Sequence, residues 1–274
     1  MHAAGGRIVP QLWHIGMMRE QGQPPYADAP AVGPSGLRLD GTEGTGKAMT
    51  RRDLDDVIGA FAEAAAAAER IGFDGVELHG AHGYLIDQFL WAGTNRRTDA
   101  YGGDVVARTK FAADIVAAVR ETVSPGFPVL FRYSQWKSDN YDARLAETPE
   151  ELEAILTPLT AAGVDAFHAS TRRYWLPEFE GSDLNLAGWT KKLTGRPAIT
   201  VGSVGLEGDI LKTMGESSPV KGIDDLLDSL EREEYDLVAV GRALLQDPEW
   251  AAKVLDGRFD ELKPFEPAAL RTLS

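Results

Sequence analysis

Short apolar runs alternate with longer helical stretches through most of this 274-residue chain, and that alternation limits the folds open to it. Parallel strands buried on both faces read as such runs, and two of them are usually joined by a helix of a dozen residues or more. The first run, Arg7-Ile-Val-Pro-Gln-Leu-Trp13, puts Gln11 and Trp13 on one face and Leu12 on the other. Residues 17–49 are rich in Gly and Pro and lack a helical period, which predicts a long loop carrying Pro34-Ser35-Gly36. Thr50 is the expected N-cap of a helix ending near Ile71, with Asp53 placing a carboxylate at its positive end and Gly72 closing it.

From there the units repeat. Strands are expected at residues 73–79, 129–133, 166–170, 198–201 and 237–240, and helices at 105–123 and 150–162. A helical region runs through Leu230, and the last helices extend from about Pro248 to the C-terminus. With no break in composition, the pattern predicts a single α/β domain over residues 1–274. In a TIM-type (β/α) barrel the loops and the active site lie at the C-terminal strand ends, where the residues of chemical interest fall here. An open doubly wound sheet is the alternative.

Apolar residues make up 43% of the chain and charged residues 26%, the ordinary soluble range. The net charge of −14, without a basic run, argues against a nucleic-acid partner, since neutralising phosphates requires a basic surface. The lack of cysteine excludes disulfides, iron-sulfur clusters and thiol nucleophiles. No signal peptide or membrane-length apolar run is present, so no membrane association and a cytoplasmic location are expected.

The densest chemistry lies in residues 72–103, GFDGVELHGAHGYLIDQFLWAGTNRRTDAYGG. His79, His82 and Tyr84 follow within six residues where a strand gives way to a loop, a grouping that a purely structural role explains poorly. After them come Asp87-Gln88-Phe89-Leu90, Thr94-Asn95-Arg96-Arg97-Thr98-Asp99 and Tyr101-Gly102-Gly103. This stretch resembles the signature of the old yellow enzyme family of flavin-dependent ene-reductases, the NADH:flavin oxidoreductases. The resemblance extends from about residue 7 to residue 258.

It implies an FMN-dependent enzyme that uses NADH or NADPH to reduce the C=C bond of an α,β-unsaturated carbonyl or similar activated alkene. Hydride chemistry of this kind belongs to a cofactor. The resemblance makes Tyr84 the proton donor, with His79 and His82 as hydrogen-bond donors to the substrate oxygen. Such a donor in a dry site is worth roughly 3–4 kcal/mol to a developing oxyanion. By the same resemblance Gln11 bonds the flavin ring and Arg132 faces its N1/O2 edge, while Gly202, Ser203, Gly241 and Arg242 hold the phosphate. Trp13, Tyr174 and Trp175 wall the substrate side, although loop aromatics such as the last two suit oligomer contacts equally well. Six strand-helix units are visible, and the resemblance places the family's first two of eight upstream of Met1. Met17-Met18 stands where the family often has Arg or Ser. Two other readings stay open: a non-catalytic or FMN-deficient fragment, and a metal-dependent barrel hydrolase using His14, His79, His82 and His168.

Overall fold

A computed structural model of the chain describes residues 1–44, 46–209 and 215–271. The expected helical region through Leu230 and the C-terminal helices therefore include positions, 210–214 and 272–274, that lie outside the described residues. The chain divides into two compact units, Met1–His168 with Leu193–Arg196, and Ala169–Lys192 with Pro197–Ser274.

In the first unit, β1 (Gln11–Leu12) is followed by a short parallel pair, β2 (Val32–Gly33) and β3 (Lys47–Ala48), inside the expected loop. Then come α1 (Arg51–Arg70), β4 (Val76–His82), α2 (Leu85–Leu90), α3 (Val105–Thr122), β5 (Val129–Lys137) and α4 (Pro149–Ala162). β6 (Ala166–Ser170) contributes its first residues to this unit. β4 lies between β1 and β5 and is parallel to both, with Gln11 opposite Glu77 and His79 opposite Arg132. Strand side chains such as Val76, Leu78, Val129, Phe131 and Phe167 have no exposed surface. Burying each is worth about 1.5–3 kcal/mol.

The helices start where the capping chemistry predicts. Asp53 N donates to Thr50 Oγ1 at 3.2 Å and Thr50 N to Asp53 Oδ2 at 2.8 Å, closing a capping box on α1. The Asp104 and Thr148 side chains cap α3 and α4 by accepting from Ala107 N and Glu151 N. The small residues Ala62, Ala65 and Ala68 are buried with Phe61 on one face of α1, which packs against α3.

Several boundaries differ from the sequence expectation for local reasons. The 73–79 strand begins instead at Val76, because Asp74 is occupied as a clasp: its carboxylate accepts from Ile8 N at 2.7 Å and its own N–H donates to Ile8 O at 3.0 Å. Only Gln11 and Leu12 of the first run pair as a strand. β5 extends four residues beyond the expected 129–133 and bulges there, with Gly80 opposite Tyr133 but His82 opposite Lys137.

In the second unit, α5 (Leu186–Thr194), apart from its last two residues, precedes β7 (Ala198–Val201). α6 (Asp224–Glu231), β8 (Leu237–Val238), α7 (Arg242–Gln246) and α8 (Trp250–Leu255) follow. β7 and β8 are parallel, with Ile199 opposite Leu237 and Thr200 opposite Val238. The expected strand 237–240 is shortened to its first two residues. Asp236 anchors the start of β7, accepting from Ala198 N and Lys191 Nζ, both at 2.9 Å. Among the described residues no helix is long and apolar enough to cross a membrane.

Candidate active site

The C-terminal end of β4 gathers the predicted trio. The ring centroids of His79 and His82 lie 5.2 Å apart, and those of His79 and Tyr84 5.3 Å apart. Trp13 meets the Tyr84 ring edge-on at 4.9 Å, while Trp136, at the end of β5, stacks on His82 at 4.4 Å. Trp13 is 52% exposed and stands at the open side of this cluster. The segment after the trio braces it. Gln88 Nε2 donates to Gly83 O at 2.7 Å, and Asn95 Nδ2 donates to the carbonyls of Phe89 and Tyr101, both at 2.7 Å. Arg97 reaches back to Pro34 O at 3.0 Å and Met49 O at 2.7 Å, tying down the long loop.

Both histidines of β4 are neutral at physiological pH. Burial, reinforced by the nearby Arg132 charge, holds the His79 imidazole down at about 4. Burial and then Arg132, His79, Lys137 and His168 hold His82 down at about 2. A neutral imidazole donates from one nitrogen and accepts at the other. His79 Nδ1 is buried and has no hydrogen-bond partner among the described residues.

The depressed His79 value has a consequence for stability. In the unfolded chain an imidazole protonates near 6.5, whereas folded His79 stays neutral down to about 4. The unfolded state therefore binds more protons in that window. The stability associated with neutral His79 is present above 6.5 and is lost as the pH falls towards about 4. Urea denaturation at successive pH values is expected to show this slope, and His79→Gln to reduce it to the part that His82 contributes over the same window.

Beneath the trio lies a polar network absent from the sequence expectation. Gln11 Nε2 donates to Glu77 Oε1 at 2.6 Å, and His168 Nδ1 lies 2.7 Å from Glu77 Oε2. A carboxylate only accepts, so His168 donates from Nδ1. Burial pushes the Glu77 carboxyl up, but the His168 bond and charge, the Gln11 bond and the Arg132 charge outweigh it, and the net shift is downward. With one amide N–H committed to Glu77, Gln11 retains its second N–H as a donor and Oε1 as an acceptor. Arg132 is largely buried, which lowers its pKa, with Glu77 opposing that shift.

The second unit holds the other predicted contacts. Ser203 Oγ lies 2.9 Å from Arg172 O and 3.0 Å from Gly208 O, with one proton to donate to either, and Arg242 Nη2 donates to Gly208 O at 2.7 Å. Arg172 and Arg173 both reach Asp209 Oδ2, at 2.8 Å and 3.0 Å. Two guanidinium groups thus share one fully buried carboxylate, and Arg242 Nη1 reaches the backbone carbonyl of the same residue at 3.5 Å, a gathering of cations that suits a phosphate. Arg172 and Arg173 stood in the sequence as part of a loop, and nothing in their spacing tied them to Arg242. Gly241 leaves open space where a Cβ would stand.

Gly202 has φ 146°, and a Cβ there would lie 2.5 Å from Thr171 Oγ1. Gly202→Ala is therefore expected to destabilise the chain by at least about 1–3 kcal/mol of backbone strain, read by chemical denaturation. Tyr174 is buried with its hydroxyl unpartnered among the described residues, and Trp175 meets it edge-on at 5.1 Å. Both line a cavity of about 310 Å³ together with Asp183, Asp225, Asp228 and Glu234. Among the described residues no three His, Asp or Glu side chains converge as metal ligands.

A family model described as the NADH:flavin oxidoreductase / NADH oxidase family matches residues 1–261. The chain belongs to the NADH:flavin oxidoreductase family. It is 33% identical to an NADH oxidase of Thermoanaerobacter brockii over 271 residues, which cover 96% of this chain and 38% of that protein. It is 31% identical to an NADPH dehydrogenase of Clostridium acetobutylicum over 278 residues, 96% of this chain and 72% of that one. The chain thus spans well under half of the first relative and nearly three quarters of the second. Morphinone reductase in complex with tetrahydroNAD superposes with a TM-score of 0.77 at 25% identity, over 98% of this chain and 70% of that one. Morphinone reductase is a TIM barrel, and the parallel α/β pattern of this NADH:flavin oxidoreductase family member agrees with it.

Proposed function

We propose that the chain is an FMN-dependent reductase that uses NADH or NADPH to reduce the C=C bond of α,β-unsaturated carbonyl compounds or similar activated alkenes. The observation that carries this reading is the gathering of two neutral imidazoles and a phenol at one strand end. The same donors in their charged forms would not leave an acceptor nitrogen for a second partner.

The residues present fit a flavin. Gln11 offers an acceptor oxygen, Arg132 a buried cation, and His79 a buried nitrogen awaiting a partner. Gln11 and Arg132 are the proposed contacts to the ring. In the second unit Gly202, Ser203, Gly241 and Arg242 are the proposed phosphate contacts, joined by Arg172 and Arg173. FMN, when bound, supplies the hydride that no side chain can deliver.

The protein's own part is to bind, orient and protonate. His79 and His82 each donate one N–H to the carbonyl oxygen of the alkene, where negative charge develops as the double bond is reduced. Tyr84, half-buried and adjoining His79, gives its phenolic proton to the neighbouring carbon and recovers one from solvent. Trp13 and Trp136 flank the trio, the first edge-on to Tyr84 and the second stacked on His82. Tyr174 and Trp175 are the remaining proposed substrate-wall residues. The resemblance of the fold to morphinone reductase supports the substrate class.

The test has three steps on one preparation. FMN titration should quench flavin fluorescence at micromolar concentration. Anaerobic NADH or NADPH should then bleach the flavin absorbance. A small cyclic enone should restore that absorbance with stoichiometric formation of the saturated ketone. Bleaching without enone turnover would refute the substrate class, and no quenching at all would refute the flavin reading.

A further inference from the structure

The turn that carries His82 and Tyr84 is fastened from behind by an ion pair with no exposed surface. Lys137 Nζ donates to Asp87 Oδ1 at 2.8 Å, and neither side chain is exposed at all. Each ion has further partners. Lys137 Nζ donates to Gln135 O at 3.0 Å and sits 5.6 Å from the centroid of the Trp91 ring. Asp87 Oδ2 accepts from Gly83 N at 2.5 Å.

Burying two charges is seldom better for stability than filling the same volume with apolar groups. What the second carboxylate oxygen holds supplies another reason for the pair. His82 has φ 63° and Gly83 has φ 85°, two consecutive left-handed residues. The left-handed region is uncommon for a residue with a Cβ, and it persists where the surroundings over-determine it.

Here they do. His82 N donates to Ser134 Oγ at 2.9 Å, and His82 O accepts from Ser138 N at 3.1 Å and from Ser138 Oγ at 2.9 Å. On Gly83, Gln88 holds the carbonyl and Asp87 holds the amide. The Asp87 bond is the charge-assisted member of this set, and such bonds are about twice as strong as neutral ones. Lys137 also stands opposite His82 in the β4–β5 register, so the cation that stabilises the Asp87 carboxylate comes from the strand position facing the turn.

We propose that Asp87 and Lys137 are positioning residues that lock the left-handed turn at residues 82 and 83, and so aim the His82 imidazole and the Tyr84 phenol at one ligand. The geometry of the turn stands on the contacts above, while the identity of the ligand rests on the reductase reading.

Two double variants separate positioning from bulk stability. D87N/K137Q keeps an acceptor for Gly83 N and a hydrogen-bonded, uncharged partner at 137. D87L/K137M fills the same space with apolar groups and removes the acceptor. Two readouts are taken on each, at a temperature well below its measured Tm. One is the amide exchange rate of Gly83 in the flavin-free protein, and the other is the Kd for a small enone from the perturbation of flavin absorbance. D87L/K137M is expected to speed Gly83 exchange at least tenfold and to weaken enone binding on the order of tenfold. D87N/K137Q should rescue both to within about threefold of the parent.

Unchanged Gly83 exchange and Kd in D87L/K137M would overturn the proposal, as would a D87N/K137Q variant that behaves like D87L/K137M. A parent chain that binds no flavin while Gly83 exchange follows the expected order would refute the reductase reading and uphold the lock.

Discussion

Tyr84→Phe is expected to slow enone reduction by about 10²–10⁴-fold, the range of a positioned acid or base, while leaving flavin reduction by NADH or NADPH unchanged. The substitution removes one oxygen and keeps the ring, so the edge contact with Trp13 at 4.9 Å and the approach to His79 at 5.3 Å persist. The two half-reactions differ in what they ask of this residue. Taking hydride from the nicotinamide requires no proton from Tyr84, whereas saturating the alkene does. Stopped-flow absorbance under anaerobic conditions follows each separately. An equal loss in both would mean that the phenol positions ligands rather than protonating them.

Lys137→Met is expected to destabilise the chain by about 3–5 kcal/mol, because it strands a fully buried carboxylate. Burial already pushes the Asp87 carboxyl up against the downward pull of Lys137. Without that pull the folded state favours the protonated acid still more. A group whose folded pKa exceeds its unfolded value stabilises most at low pH and loses that contribution as the pH rises. The deficit of Lys137→Met relative to the parent should therefore be smaller at pH 5 than at pH 8. A deficit that is the same at both values would show that Asp87 finds a new partner.

Much of this site was legible in the sequence because its parts are close together along the chain. His79, His82 and Tyr84 are neighbours by position, and the alternation of strands and helices put them at a strand end. β6 and β7 fall where their apolar runs predicted, since both are short strands bounded by Gly or polar residues. What escaped had one of two physical causes. α2 carries no amphipathic period, since all six of its residues are buried, and α5 is only nine residues long with its first five buried. The ion pairs and polar networks join residues far apart in the chain: Glu77 to His168, Asp87 to Lys137, Arg172 to Asp209. Nothing local marks such partners, and the run that places Gln11 on one strand face does not tie it to Glu77.

Apart from the ion pair of Arg97 with Asp99, the brace formed by Gln88, Asn95 and Arg97 touches backbone, including the carbonyls of Gly83, Phe89, Tyr101, Pro34 and Met49. None of those bonds depends on which side chains stand at positions 79, 82 or 84. A sequence pattern built on residues 88–103 therefore recognises a shared chassis, and would retrieve proteins whose reacting groups have been exchanged for others. Sorting such proteins by what they catalyse requires reading the three positions on the strand end alone.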